Sequence, residues 1–242
     1  AAHQWAAVQK ELNPGQVVNF SRAQAQSLDA LVQGRVAFLT DYQNAAYAAR
    51  YAAQVEQVRR AEAALAEHTG GPQKLPLSEA VARYLFKLMA YKDEYEVARL
   101  HTDATFLQKI EGMFEGHYTL NYHLAPPLIA KANDKGELQK QKFGPLMLTG
   151  FKVLKHFKWL RGGALDVFGY TEERRTERAL IQQYRASVDV LVSQLNASNH
   201  ALAVEMARIP EQIKGFGHVK ARHLAAARDK WNSLKAQWSA QN

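Results

Sequence analysis

Thr171-Glu-Glu-Arg-Arg-Thr-Glu-Arg-Ala-Leu-Ile-Gln-Gln-Tyr-Arg-Ala-Ser-Val-Asp-Val-Leu-Val-Ser-Gln-Leu195 decides the fold class. Leu180, Tyr184, Val188, Leu191 and Leu195 return at steps of 4, 4, 3 and 4, which gathers them on one face of an α-helix. Thr171 offers an oxygen to cap the helix start, and Glu172 and Glu173 suit its positive end.

The same reading extends in both directions. From Pro145 to Leu160, the apolar positions Leu146, Leu148, Phe151, Leu154 and Phe157 follow helical spacing. A short helix near 199–208 stops before Pro210, and a last helix over 218–239 carries Val219, Leu224, Ala227, Trp231, Leu234 and Trp238. Upstream, Ser78 reads as an N-cap. Val81, Tyr84, Leu85, Leu88, Tyr91 and Tyr95 mark the buried face, and the helical pattern continues with a break through Leu107 and Ile110 to Phe114.

Residues 28–68 hold no Pro and a single Gly. Leu28, Val32, Leu39, Tyr42, Ala46, Ala49 and Ala53 form a helical stripe, interrupted by Arg35. Unbroken, this helix is ~60 Å long, suited to an arm across a larger body or to a helical hairpin. Gly34, costing ~1 kcal/mol relative to Ala, is the expected weak point. Tyr118, Leu120, Tyr122 and Leu124 alternate with polar residues, and Leu138–Phe143 can pair with them across Asn133–Gly136. The expected fold is mainly α, a multi-helix domain with long helices and a small two-stranded β ribbon near 117–143. Residues 1–27 read as an N-terminal extension or linker and 28–242 as a single helical domain.

Composition narrows the function classes. With 242 residues, 47% apolar and 22% charged, the chain is ordinary globular material able to build a core. The absence of cysteine excludes a disulfide framework, a thiol nucleophile, a cysteine zinc site and an iron–sulfur cluster held by this chain alone. It fits a cytoplasmic protein. No apolar run approaches the ~20 residues of a membrane span. The start, Ala1-Ala-His-Gln-Trp5, has neither an initiator Met nor a signal peptide and reads as a cut from a longer polypeptide.

Reactive patterns are scarce. His117 and His123 lie ~20 Å apart on a regular strand, and His218 and His223 do not align on a helix, so neither pair suggests a metal site. Asp93, Glu94, Glu96, Asp103 and Glu111 read as a salt-bridged helix face, with Glu94 pairing to Arg99 or Lys92. No phosphate-binding glycine loop, dinucleotide fingerprint or nucleophile elbow occurs. Gly215-Phe216-Gly217 reads as a turn that aims the last helix.

Charge says more. The net charge is +8, and residues 138–165 carry Lys140, Lys142, Lys152, Lys155, Lys158 and Arg161 without one Asp or Glu. Lys152, Lys155, Lys158 and Arg161 are candidate contacts for an anion or partner: a phosphate-rich ligand or nucleic acid, an anionic membrane surface, or an acidic protein. A solvated helix face is the plain alternative. Arg174, Arg175 and Arg178 are candidates for bidentate carboxylate contacts, within the chain or to a neighbouring domain.

Several stretches together resemble a known family. Arg35-Val-Ala-Phe-Leu-Thr-Asp-Tyr-Gln-Asn-Ala-Ala-Tyr47, Tyr91-Lys-Asp-Glu-Tyr-Glu-Val-Ala-Arg-Leu100, His123-Leu-Ala-Pro-Pro127, Phe168-Gly-Tyr-Thr-Glu-Glu-Arg-Arg-Thr-Glu-Arg178 and Gly215-Phe-Gly-His-Val-Lys220 look like the C-terminal region of the large fused bacterial indolepyruvate ferredoxin oxidoreductases. The likeness runs in order over roughly residues 28–230. It implies a parent enzyme that oxidatively decarboxylates aryl-2-oxoacids with thiamine diphosphate and coenzyme A and passes electrons through iron–sulfur clusters to ferredoxin. The thiamine and cluster motifs of such enzymes lie elsewhere in the polypeptide, so no catalytic, cofactor-binding or metal residue carries over to this chain. The expectation is a non-catalytic accessory or interface domain that docks against other domains of the parent or a second copy. The alternatives are a domain binding coenzyme A phosphates or acidic ferredoxin through the basic helix 145–161, or an independent nucleic-acid-binding domain, for which no reading motif accompanies the charge.

Overall fold

A computed structural model of the chain describes residues 26–69, 74–124, 139, 141–215 and 217–241. It is mainly helical, with one two-stranded ribbon among the described residues. Helix α1 (Leu28–Tyr42) begins where the Ser27 hydroxyl accepts from the Ala30 amide at 3.2 Å. Helix α2 (Ala45–Thr69) follows almost at once. The expected single helix over 28–68 is therefore two helices, packed on each other as a hairpin.

The break falls at Gln43 and Asn44. The Asn44 side chain accepts from the Tyr47 amide at 2.8 Å and so starts a new helix. Gly34, the expected weak point, lies inside α1 in open space. The restart also resets the helical phase. Ala46, Ala49 and Ala53, read as buried, are exposed, whereas Ala48, Tyr51, Val55 and Val58 enter the core.

Helix α3 (Pro76–Met89) has Pro76 in its first turn, where a missing N–H costs nothing. Ser78 is not its N-cap: it lies within the first turn, fully buried, and the capping acceptor comes from α2, as described below. The helix ends before Tyr91, and Asp93 caps α4 (Glu94–His101) by accepting from the Glu96 amide at 2.9 Å. Asp103 does the same for α5 (Ala104–Glu111).

Strands β1 (Tyr122–Leu124) and β2 (Gln141–Phe143) pair antiparallel, Tyr122 opposite Phe143 and Leu124 opposite Gln141. The turn expected at Asn133–Gly136, together with residues 1–25 of the expected extension, Ala125-Pro126-Pro127, Lys140 and Phe216, lies outside the described residues. Helix α6 (Leu146–Leu154) tightens into a 3-10 turn over Lys155–Leu160. Then come α7 (Glu172–Ser193), α8 (His200–Arg208) and α9 (Gly217–Gln241).

The main core gathers one face from each of α1, α2, α3, α7, α8 and α9. On α7 that face is Leu180, Tyr184, Val188 and Leu191, each at most 2% exposed. A smaller core joins Ala98 of α4, Tyr122 of β1 and Phe151 of α6. No helix among the described residues is long and apolar enough to cross a membrane.

Candidate functional site

Residues 146–170 carry seven large apolar side chains on the surface: Leu146, Val153, Phe157, Trp159, Leu165, Val167 and Tyr170, with Leu146 87% and Trp159 64% exposed. The local reason is the helix phase. Met147, Leu148, Phe151 and Leu154 turn inward onto the smaller core, which leaves Leu146 and Val153 outward. The 3-10 turn then changes the rotation per residue and brings out Phe157 and Trp159. From β2 to Tyr170 the one acid is Asp166, and it is 3% exposed. The accessible charge along this face is positive.

Among the four basic candidates, Lys152 and Lys155 have no partner among the described residues. Lys158 donates to the Asp41 carbonyl. Arg161 is not on the surface at all. Its guanidinium pairs with Asp93, including Nη2 to Oδ1 at 2.9 Å, donates through Nη1 to the Tyr42 carbonyl and to Gln43 Oε1, and sits 3.7 Å from the Tyr42 ring centroid. The basic run is thus divided: its first half faces outward, and its end is a clasp that holds the segment to α1 and α4.

A second clasp lies beside the first. Arg174 grips Glu94 with two N–H groups at 3.1 and 3.3 Å, so Glu94 pairs across the fold and not with Arg99 or Lys92. Arg99 instead holds Glu96, both contacts at 2.8 Å. Arg178 donates to the Gly169 carbonyl at 2.6 Å, and its Nη1 is buried without a partner. Of the three arginines considered for interdomain contacts, Arg174 is spent inside the chain and Arg175 is exposed. Asp166 accepts from the Tyr95 hydroxyl at 3.1 Å and from the Gly162 amide at 2.7 Å. Residues of 35–47, 91–100 and 168–178 therefore meet at one buried joint.

The electrostatics of the joint are static. Burial, the largest single influence, pulls the Arg161 pKa down, but its hydrogen bonds to Asp93 together with the electrostatic pull of Tyr42, Asp93 and Tyr91 raise it overall. Burial, reinforced by Asp93, lifts Tyr42 far above the usual phenol range and pushes Tyr91 up to about 12. Burial and then Asp166 raise Tyr95. These tyrosines stay neutral near pH 7 and act as ring and hydrogen-bond partners.

A buried trio elsewhere has the composition of a hydrolytic site but not its wiring. The Glu62 carboxylate, 2% exposed, accepts from the Leu77 amide (2.8 Å), the Ser78 amide (2.7 Å), the Ser78 hydroxyl (2.7 Å) and His200 Nε2 (2.7 Å). Ser78 donates to the carboxylate and not to the imidazole, and it is fully buried. The carboxylate caps α3 and ties α2 to α8. Sequence reading missed Glu62. The available signal was a carboxylate on the apolar stripe Ala48, Tyr51, Val55, Val58.

The other histidines are scattered. His117 and His123 are exposed, and His223 Nδ1 lies 2.8 Å from the Lys214 carbonyl. Among the described residues, no group of three His, Asp or Glu side chains is placed to hold a metal ion.

A family model described as "Family of unknown function (DUF6537)" matches residues 28–233. No curated protein matches the chain. No solved structure matches it.

Proposed function

The chain belongs to the DUF6537 family, and we propose that it is a non-catalytic accessory domain that docks onto the catalytic portion of a cytoplasmic indolepyruvate-type 2-oxoacid:ferredoxin oxidoreductase. The observation that carries the docking role is the exposed apolar face of 146–170. Large apolar side chains concentrated on the surface of one segment of a folded domain mark an interaction site, and here a buried clasp within the segment and a part-buried one just after it hold the segment in place before any partner arrives. Preorganisation lowers the ordering cost of association.

The resemblance supplies the partner. The stretches that carry it over 35–47, 91–100 and 168–178 supply Tyr42, Asp93, Glu94, Tyr95 and Arg174, the residues of the joint that positions the face. On this reading, what the chain has in common with those oxidoreductases is a scaffold and not a reaction centre. Thiamine diphosphate, coenzyme A and iron–sulfur clusters belong to the parent's other segments. A cluster does not fit here, because the sequence has no thiolate to bind it. Lys152 and Lys155, in the same segment as the exposed apolar residues, favour an acidic counter-surface and make salt-sensitive approach of ferredoxin a second reading. The coenzyme A reading loses Lys158 and Arg161, which are engaged inside the chain.

The test is Trp159→Glu with Leu165→Glu in the full-length parent polypeptide. Both side chains are exposed, so the domain's own melting temperature stays put, while assembly by size-exclusion chromatography and turnover of an aryl-2-oxoacid fall. A variant parent that assembles and turns over like the wild type refutes the docking role.

A further inference from the structure

Helices α7 and α9 flank a groove of about 730 Å³ on residues separate from the 146–170 face. Its floor is apolar: Leu191, Met206 and Trp238 are each under 5% exposed, and the Trp231 ring meets Tyr184 edge-on at 6.2 Å between centroids. Trp238 Nε1 donates to Gln194 Oε1 at 2.7 Å and braces one end. Val190, 48% exposed, stands on the α7 wall. The lining spans 183–194, from α7 to its C-cap, and 228–239 on α9. Each stretch is ~16 Å long, the length of about three helical turns.

Charge distinguishes this groove from an ordinary seam between helices. Its ionisable lining residues are Arg228 and Lys235, and no carboxylate lines it. Elsewhere on α9, Lys220 pairs with Glu177 and Lys230 pairs with Glu205 at 2.9 Å. Arg228 and Lys235, which face the groove, have no partner among the described residues. They alternate with the tryptophans as Arg228, Trp231, Lys235 and Trp238, at steps of 3, 4 and 3 on one face of the helix.

We propose that this groove receives an acidic amphipathic helix of a protein partner. The apolar residues of that helix lie against Val190 and Trp231. Two of its carboxylates, about seven residues or 10 Å apart along the axis, pair with Arg228 and Lys235. The open walls leave a small molecule largely in water, whereas good ligand pockets enclose theirs. Two cations ~10 Å apart match few phosphates of a nucleic acid, and Trp238 is buried where a base would have to stack.

The experiment is fluorescence anisotropy of a labelled peptide of about 15 residues, with Leu at helical spacing and Glu at two positions two turns apart, titrated with the full chain. Saturable binding with Kd on the order of 10 μM is expected. Arg228→Glu combined with Lys235→Glu weakens it by about tenfold or more. Val190→Asp weakens it independently, and circular dichroism confirms that each variant keeps its helices. Absence of binding up to about 1 mM, equal binding of a peptide with Lys in place of Glu, an unaffected double variant, or displacement by unstructured polyglutamate as efficient as by unlabelled peptide would each overturn the proposal. None of these measurements depends on the 146–170 face, so this site and the docking role fail separately.

Discussion

Asp93→Asn isolates the joint that holds the 146–170 segment in place. Asn caps a helix about as well as Asp, so the α4 start survives the change. What disappears is the charge opposite Arg161, in a pair whose side chains are 4% and 3% exposed. Arg161 then remains a guanidinium buried over the Tyr42 ring with carbonyl partners only. Stranding one member of a buried pair costs ~3–5 kcal/mol, a large share of a total stability of ~5–15 kcal/mol. With a urea slope of ~2 kcal/mol per M, the unfolding midpoint falls by ~1.5–2.5 M. Adding Arg161→Met removes the stranded charge and restores much of the loss. Glu79→Gln is the control, because its pair with Arg83 at 2.7 Å is 53% and 45% exposed and is worth ~0–1 kcal/mol. Hydrogen exchange over 155–170 rises in the single variant, since the clasp is what closes that segment. The reasoning is refuted if Asp93→Asn shifts the midpoint no more than Glu79→Gln, or if the double variant is weaker than the single one.

Three further outcomes follow from the same geometry. Glu62→Gln leaves four donors competing for one amide oxygen and lowers stability by ~1.5–3 kcal/mol, read as a drop in Tm; an unchanged Tm removes Glu62 as the tie between α2, α3 and α8. Gly150→Ala and Gly169→Ala have opposite signs. A Cβ at Gly150 meets nothing within 4 Å inside α6 and stabilises by ~0.5–1 kcal/mol, whereas at Gly169 it lands 2.5 Å from Asp166 Oδ2 and 3.1 Å from Arg178 Nη1 and destabilises by ~1–3 kcal/mol; like signs in urea unfolding would contradict this. His101 stacks on Phe151 at 5.3 Å, and burial holds its pKa below 6.5. Its neutral form therefore contributes stability in full above pH 6.5, and that contribution is lost as pH falls from there through the lowered folded value. His101→Phe flattens this limb of the pH–stability curve, and an unchanged limb would show that another group carries it.

How much was legible depended on whether a feature is local. The α7 stripe is readable because Leu180, Tyr184, Val188 and Leu191 keep helical phase, and these four form the apolar part of its buried face, while Leu195 lies just beyond the helix end and is half-buried. The ribbon was readable because Tyr122 and Leu124 alternate with polar neighbours beside a compatible second segment. The 28–68 stretch takes the hairpin form and not the single long helix for an equally local reason. Asn44 is itself a good N-cap, but Gly34 drew the expectation of a break, and alanines continued the stripe whichever way the phase ran. Arg161 looked like the last member of an exposed cationic run. Its partner, Asp93, stands 68 residues away, and nothing near Arg161 in the chain announces it.

By itself, the sequence determined the helical class, the ribbon, the lack of any thiol chemistry and the positive sign of the 140–160 region, because periodicity, residue type and charge are properties of the chain before it folds. Only the tertiary structure decided which of those charges face outward. Burying a guanidinium is unfavourable unless a carboxylate and carbonyls converge on it. Here that convergence is made by α1, α4 and the turn after α6, brought together only once the chain has packed.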